Sequence, residues 1–387
     1  MMDQRNEFNR GAASQSLNRR EFVRGLCGSA LATTVSNMLP QRAWARASDR
    51  RKVVVVTFGG GARDEETFAP EGQENIPHLL HELIPQASFF TQVVNQGILG
   101  HYVATASLAT GTYETFDNFA DVSPAHPTVF EYFRKTKRRP ATDAWVVAPS
   151  NGFNRIGQSS DNRFFDQGAT VVLPKRLLAR PDGTPAFAGV ERLLSDNYES
   201  PIQAPVALAE EMPTEQVAAM LKLSLADFAA HASTLQSPDE LSFFVAKRVM
   251  RELAPSLLWL TLHDIDVAHS GAFSLYLDGI HRSDAICAEL WRTIQSDPEY
   301  KDRTNLLILP DFGRDSDLDA GGNGFQHHRT GDALSRTTWL VALGPDIKQN
   351  TIVDRRIESI DLTPSVAALL GCDALMAHGK LIAELGL

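Results

Sequence analysis

Three short apolar runs of this chain end in acidic or imidazole side chains. Leu257–Leu262 is followed by His263-Asp264-Ile265-Asp266-Val267-Ala268-His269, and Leu306–Leu309 by Pro310-Asp311-Phe312-Gly313-Arg314-Asp315. Val53–Phe58 is followed by Gly59-Gly60-Gly61-Ala62-Arg63-Asp64, and a later glycine-rich loop ends in His327-His328. Aspartate and histidine are the common oxygen and nitrogen ligands of zinc and similar divalent ions. A carboxylate three residues before a histidine, on the turn leaving a strand, can place both on one ion. Any single loop of this kind is better explained as a helix cap or an amide-binding turn. Three of them on one sheet edge point to a metal or anion site. His327 and His328 are neighbours that point apart, so one of the two is expected to be a ligand. The triple glycine lacks the spacings of nucleotide-binding loops, which excludes nucleotide binding there.

These residues need a scaffold that brings their loops together. The runs Val53–Phe58, Trp145–Ala148, Leu257–Leu262, Leu306–Leu309 and Trp339–Leu343 read as buried parallel strands. Helical patterns separate them. The clearest runs from Phe273 to Gln295 and places Tyr276, Ile280, Cys287, Leu290, Trp291 and Ile294 on one side. Alternating strands and helices predict an α/β fold, a mostly parallel sheet with helices on both faces. In such sheets ligands bind at the carboxyl ends of the strands. The stretch 151–238 is rich in turn residues and then helical, and reads as a cap inserted in a single domain spanning 48–387.

The first 47 residues differ from the rest. They hold seven arginines and no lysine, and Arg19-Arg20-Glu21-Phe22 precedes a mildly apolar stretch from Gly25 to Leu39 and an Ala45-Arg46-Ala47 cleavage pattern. Residues 1–47 therefore read as a twin-arginine signal peptide, with the twin-arginine translocase as partner and a periplasmic or secreted destination. The apolar stretch is too short for a stable membrane anchor. Removing the leader takes the net charge from -10 to about -14, which argues against nucleic acid as a partner. Cys287 and Cys372 lie outside the leader, and sequence alone leaves open whether they pair.

The order of motifs in residues 52–387 resembles the alkaline phosphatase superfamily, which includes sulfatases. Asn75-Ile76-Pro77-His78-Leu79 resembles its "TPNL" segment, and Ala104 to Gly111 its "SLLTG" helix end. Asp266 to Gly271 resembles "DxxGHxxG", Leu309 to Gly313 resembles "SDHG", and Asp361-Leu362-Thr363-Pro364-Ser365 the closing "DIxPTLLxLxG". The resemblance implies an alkaline-phosphatase-like fold and one or two divalent ions, zinc or another metal. They would be held by Asp264 or Asp266, His269, Asp311 and His328. It places the nucleophile at the start of the helix ending in Gly111, where this chain has His101 and Tyr102. His101 is the expected base or unusual nucleophile, and Arg63 and Arg314 are the expected partners of a phosphate or sulfate. The chain departs from the pattern at Gly59–Gly61, which replaces a metal-binding aspartate, at Phe312, which replaces an imidazole ligand, and in the spacing of Asp266 and His269. The expected function is an exported metal-dependent hydrolase of a small-molecule or envelope phosphate or sulfate ester. A non-catalytic relative of the same fold, or an envelope phosphoryl-type transferase, is the alternative.

Overall fold

The computed structural model describes Arg19 and residues 51–180, 182–194 and 214–386. Nine strands form one sheet: β1 (Lys52–Thr57), β2 (Ser88–Val94), β3 (Ala144–Val147), β4 (Thr170–Val172), β5 (Leu257–Thr261), β6 (Thr304–Leu309), β7 (Thr337–Leu343), β8 (Thr351–Val353) and β9 (Ile357–Glu358). Their order is β4-β3-β5-β1-β6-β7-β2-β8, with β9 also on β2. β1 sits near the centre and pairs parallel with β5 and β6. β7 alone runs against its neighbours, antiparallel to both β6 and β2. The sheet is thus mostly parallel as expected, but Trp339–Leu343 was read with the wrong direction.

The strands form because their β-branched and aliphatic side chains are buried on both faces. Alternate residues divide between two cores. Val54, Val56, Leu258, Leu260, Leu306 and Ile308 pack with α3 (Pro238–Leu253) and α4 (Phe273–Ser296) through Leu241, Val245, Val249, Tyr276 and Ile280. Val53, Val55, Leu257, Trp259 and Leu307 face the opposite side. There α1 (His101–Thr110), α2 (Val129–Lys137) and α5 (Leu362–Leu369) supply Ala106, Phe130, Phe133, Leu362 and Val366. Helices on both faces follow from this two-sided burial. Cys287 lies in the first core and Cys372 in the second, both as free thiols, so the sheet keeps them apart.

The stretch read as a cap begins within the sheet: β4 pairs parallel with β3 at one edge. Farther on, Val217, Leu221 and Phe228 pack into the first core. The stretch 1–47, read from sequence as a signal peptide, lies outside the described residues except for Arg19. The Arg19 side chain is buried against the domain, with Nε 2.8 Å from Asp64 and its guanidinium donating to the Thr337 carbonyl at 3.1 Å.

Candidate metal centre

The exits of β1, β5 and β6 converge with the start of α1. The loop leaving β1 threads between the other two. A side chain on Gly60, at φ 88°, would put its Cβ 2.5 Å from the Asp266 backbone nitrogen, and one on Gly61 would meet the Phe312 carbonyl at 2.8 Å. Only glycine permits this approach. The triple glycine therefore packs three strand exits together, and its carbonyls face inward to a cation: Arg314 donates to Gly61 O at 2.9 Å and to Gly60 O at 2.6 Å.

After β5 the chain winds into a 3-10 helix, Asp264–Ser270. Three residues per turn eclipse positions i and i+3. Asp266 and His269 are thereby stacked, with Nε2 of His269 3.1 Å from Oδ1 of Asp266. His101, the first residue of α1, places Nε2 2.9 Å from the same oxygen. His328 closes the group, its Nε2 2.8 Å from Nε2 of His269. His101, Asp266, His269 and His328 each offer one donor atom, all within 4.8 Å of one another. His101 and Asp266 are buried and the other two are partly open, so the group is reached from the side of His269 and His328.

The surroundings orient these donors as metal ligands are commonly oriented. Nδ1 of His328 donates to the Leu99 carbonyl at 2.9 Å, which leaves Nε2 as a lone pair. Burial, then the charges of His101 and Arg314, hold this imidazole neutral, its pKa lowered to about 2. Nδ1 of His101 is 2.7 Å from Oδ2 of Asp311, and its ring stacks on Phe312 at 4.5 Å. Burial opposes a charge on His101, but Asp266 and Asp311 outweigh it and raise its pKa to about 10. Asp266 is held well below the usual carboxylate range despite its burial, chiefly by His101. Its Oδ1 also accepts from Arg314 at 2.7 Å. Its Oδ2 makes no hydrogen bond, and Nε2 of His263 lies 3.4 Å away. A buried carboxylate with one oxygen lacking a hydrogen bond and the other within 3.1 Å of the His101 and His269 Nε2 atoms, closed by the Nε2 of His328, fits a divalent cation of borderline softness.

The residues anticipated from sequence separate into two groups. Asp266, His269 and His328 come together as donors, joined by His101, which was read as a base or nucleophile. Both ring nitrogens of His101 are engaged by carboxylates and the ring is sealed by Phe312, so it is placed to serve as a ligand. The others stand outside the donor set. Asp264 turns away, its Oδ2 2.7 Å from Arg282. Asp311 acts through His101. Arg63 is tied to Glu66 and, at 2.5 Å, to Asp317. Arg314 is fully buried and every nitrogen of its guanidinium is engaged, the last by Phe325 O at 3.2 Å, so it fixes Asp266 and does not reach a substrate. His327 is exposed. Sequence reasoning missed His263, whose signal was its position as the second residue past β5.

No protein-family model matches the chain, and no curated protein matches it. Solved structures do. Alkaline phosphatase PafA superposes with a TM-score of 0.53 at 12% identity, over 90% of this chain and 100% of that one. The lipoteichoic acid synthase LtaP from Listeria monocytogenes gives 0.52 at 12%, over 88% and 76%. The phosphonate monoester hydrolase SpPMH from Silicibacter pomeroyi gives 0.51 at 13%, over 86% and 76%. The chain therefore has an alkaline-phosphatase-like fold, as the order of motifs implied.

Proposed function

We propose that this chain binds one divalent cation, zinc or a similar ion, on His101, Asp266, His269 and His328 and hydrolyses a phosphate or sulfate ester. The observation that carries the reading is the convergence of these four donors at the mouth of three strand exits. The cation would supply Lewis acidity toward an ester oxygen and toward water. The protein's own groups then do the rest. Asp311 and the Leu99 carbonyl orient the imidazoles, Arg314 holds Asp266, and Phe312 closes the buried side. The structural neighbours include a phosphatase and a phosphonate ester hydrolase, which supports ester chemistry on this fold. The pairing of Arg314 with Asp266 places a fixed positive charge beside the donors and favours one ion over two.

The test is elemental analysis of protein purified without added chelator, followed by assay on 4-nitrophenyl phosphate and 4-nitrophenyl sulfate. One ion per chain and turnover of either ester, both lost in His269→Ala, support the reading; a metal-bearing protein that turns over neither supports a binding role. His101 with both nitrogens engaged, at the position where a nucleophile is expected, favours that second reading. Export is proposed from the Arg19-Arg20 pattern and is tested by fractionation: the Arg19→Lys, Arg20→Lys double variant should stay in the cytoplasm of a bacterial host. No helix among the described residues is long and apolar enough to cross a membrane.

A further inference from the structure

Arg19 stands first in the Arg19-Arg20 pair, and the folded domain holds it. Its Nε lies 2.8 Å from Oδ1 of Asp64, and its own amide donates to Oδ2 of the same carboxylate at 3.2 Å. Its Nη2 donates to the Thr337 carbonyl at 3.1 Å. The two partners are 45 and 318 residues away in sequence, so this is tertiary packing and not a local turn. The Arg19 side chain is only 8% exposed. Asp64 makes no other ion pair among the described residues.

One guanidinium here serves two acceptors on separate stretches, a fork that a lysine ammonium does not reproduce. The walls of the site are loops that also build the donor centre. Asp64 lies in the loop leaving β1, where its carbonyl accepts the amides of Thr67 at 3.1 Å and Ala69 at 2.8 Å. Thr337 opens β7, and a Cβ on Gly313, at the exit of β6, would meet its carbonyl at 2.9 Å. The site therefore exists only once β1, β6 and β7 have assembled. Nη1 of Arg19 is buried and makes no hydrogen bond among the described residues. An unmet donor on a charged group weakens the contact, which suits a contact that has to open.

We propose that the folded domain carries a receptor site for its own Arg19, made by Asp64 and the Thr337 carbonyl, and that docking there withholds the arginine pair from the export machinery. A guanidinium buried in this site is closed to a second receptor, whose apparent affinity falls with the fraction of chains in which Arg19 is free. The proposal rests on the export reading above and adds its regulation. Trypsin cleavage after residue 19 of the purified full-length chain reads the docking directly, because such cleavage tracks the undocked population. Asp64→Asn should be cut there about tenfold faster than the parent, with the rest of the domain left resistant. Arg19→Lys, which leaves every domain residue in place, should also be cut faster. In a bacterial host, Asp64→Asn should reach the periplasm several-fold faster than the parent. Equal cleavage of parent and variants overturns the proposal and leaves the export reading standing. Faster cleavage with an unchanged export rate makes the contact a structural staple and also overturns it. A parent chain that stays in the cytoplasm overturns the export reading and this proposal with it.

Discussion

Nε2 of His269 and Nε2 of His328 face each other at 2.8 Å, with Oδ1 of Asp266 3.1 Å from the first. His328 must be the acceptor, because its Nδ1 donates to Leu99. In the ion-free protein, protons on His101 and His269 occupy the space between the donors. Entry of a cation displaces them.

Cation binding should therefore release protons. His101 has a pKa raised to about 10, so at pH 7 to 9 its Nε2 proton must leave when the ring becomes a ligand. Affinity should rise with pH, about tenfold per unit for each proton displaced, as linkage requires. Zinc titrations in buffers of different ionisation enthalpy give the proton count directly. A count of zero would show that His101 is not a ligand.

Arg314→Met should destabilise the domain strongly. Its guanidinium is fully buried and contacts Asp266 and three backbone carbonyls. Removing one partner of a buried pair leaves the other charge uncompensated, which costs about 3–5 kcal/mol. Urea unfolding measures this. A loss below about 1 kcal/mol would show that other groups compensate Asp266.

Gly60→Ala should disturb the centre without touching a ligand. The positive φ costs about 1–2 kcal/mol in any L-residue, and the new Cβ would press on the Asp266 nitrogen at 2.5 Å. Lower stability together with weaker zinc binding is expected. Unchanged zinc affinity would mean that the β1 exit does not position Asp266.

Asp284 gives the stability profile a distinct pH dependence. It accepts from the amides of His78 and Leu79, yet burial raises its pKa from 3.8 to about 6. The folded chain therefore holds this proton more tightly than the unfolded chain. The contribution favours folding below about pH 4 and is lost as pH rises through about 6, a change of about 3 kcal/mol. Urea unfolding from pH 4 to 7 should show that fall in the parent and a flatter profile in Asp284→Asn. The same slope in both would assign it to other groups.

Much of the site was legible because its chemistry sits at strand ends. The apolar runs before Gly59, His263 and Pro310 fixed which loops meet, and the Asp266 to His269 interval fits a 3-10 turn. Residue type could not separate Asp264 from Asp266, because the choice depends on Arg282 approaching from α4. Arg63 and Arg314 looked alike as loop arginines, and only packing shows both committed to carboxylates. β2, Ser-Phe-Phe-Thr-Gln-Val-Val, gave no clean run because Thr91 and Gln92 interrupt it. The reversed direction of β7 left no trace in sequence, since a strand buried on both faces reads the same either way.

The central claim is that four side chains from separate stretches hold one cation. Metal content per chain, measured on wild type, His269→Ala, His328→Ala and Asp266→Asn, tests it most directly. The account predicts one divalent ion per wild-type chain and less than about a tenth of that in each variant, as expected when a ligand is lost from a four-donor site. Metal-free wild-type protein that takes up no zinc on dialysis, or variants that keep a full equivalent, would contradict it.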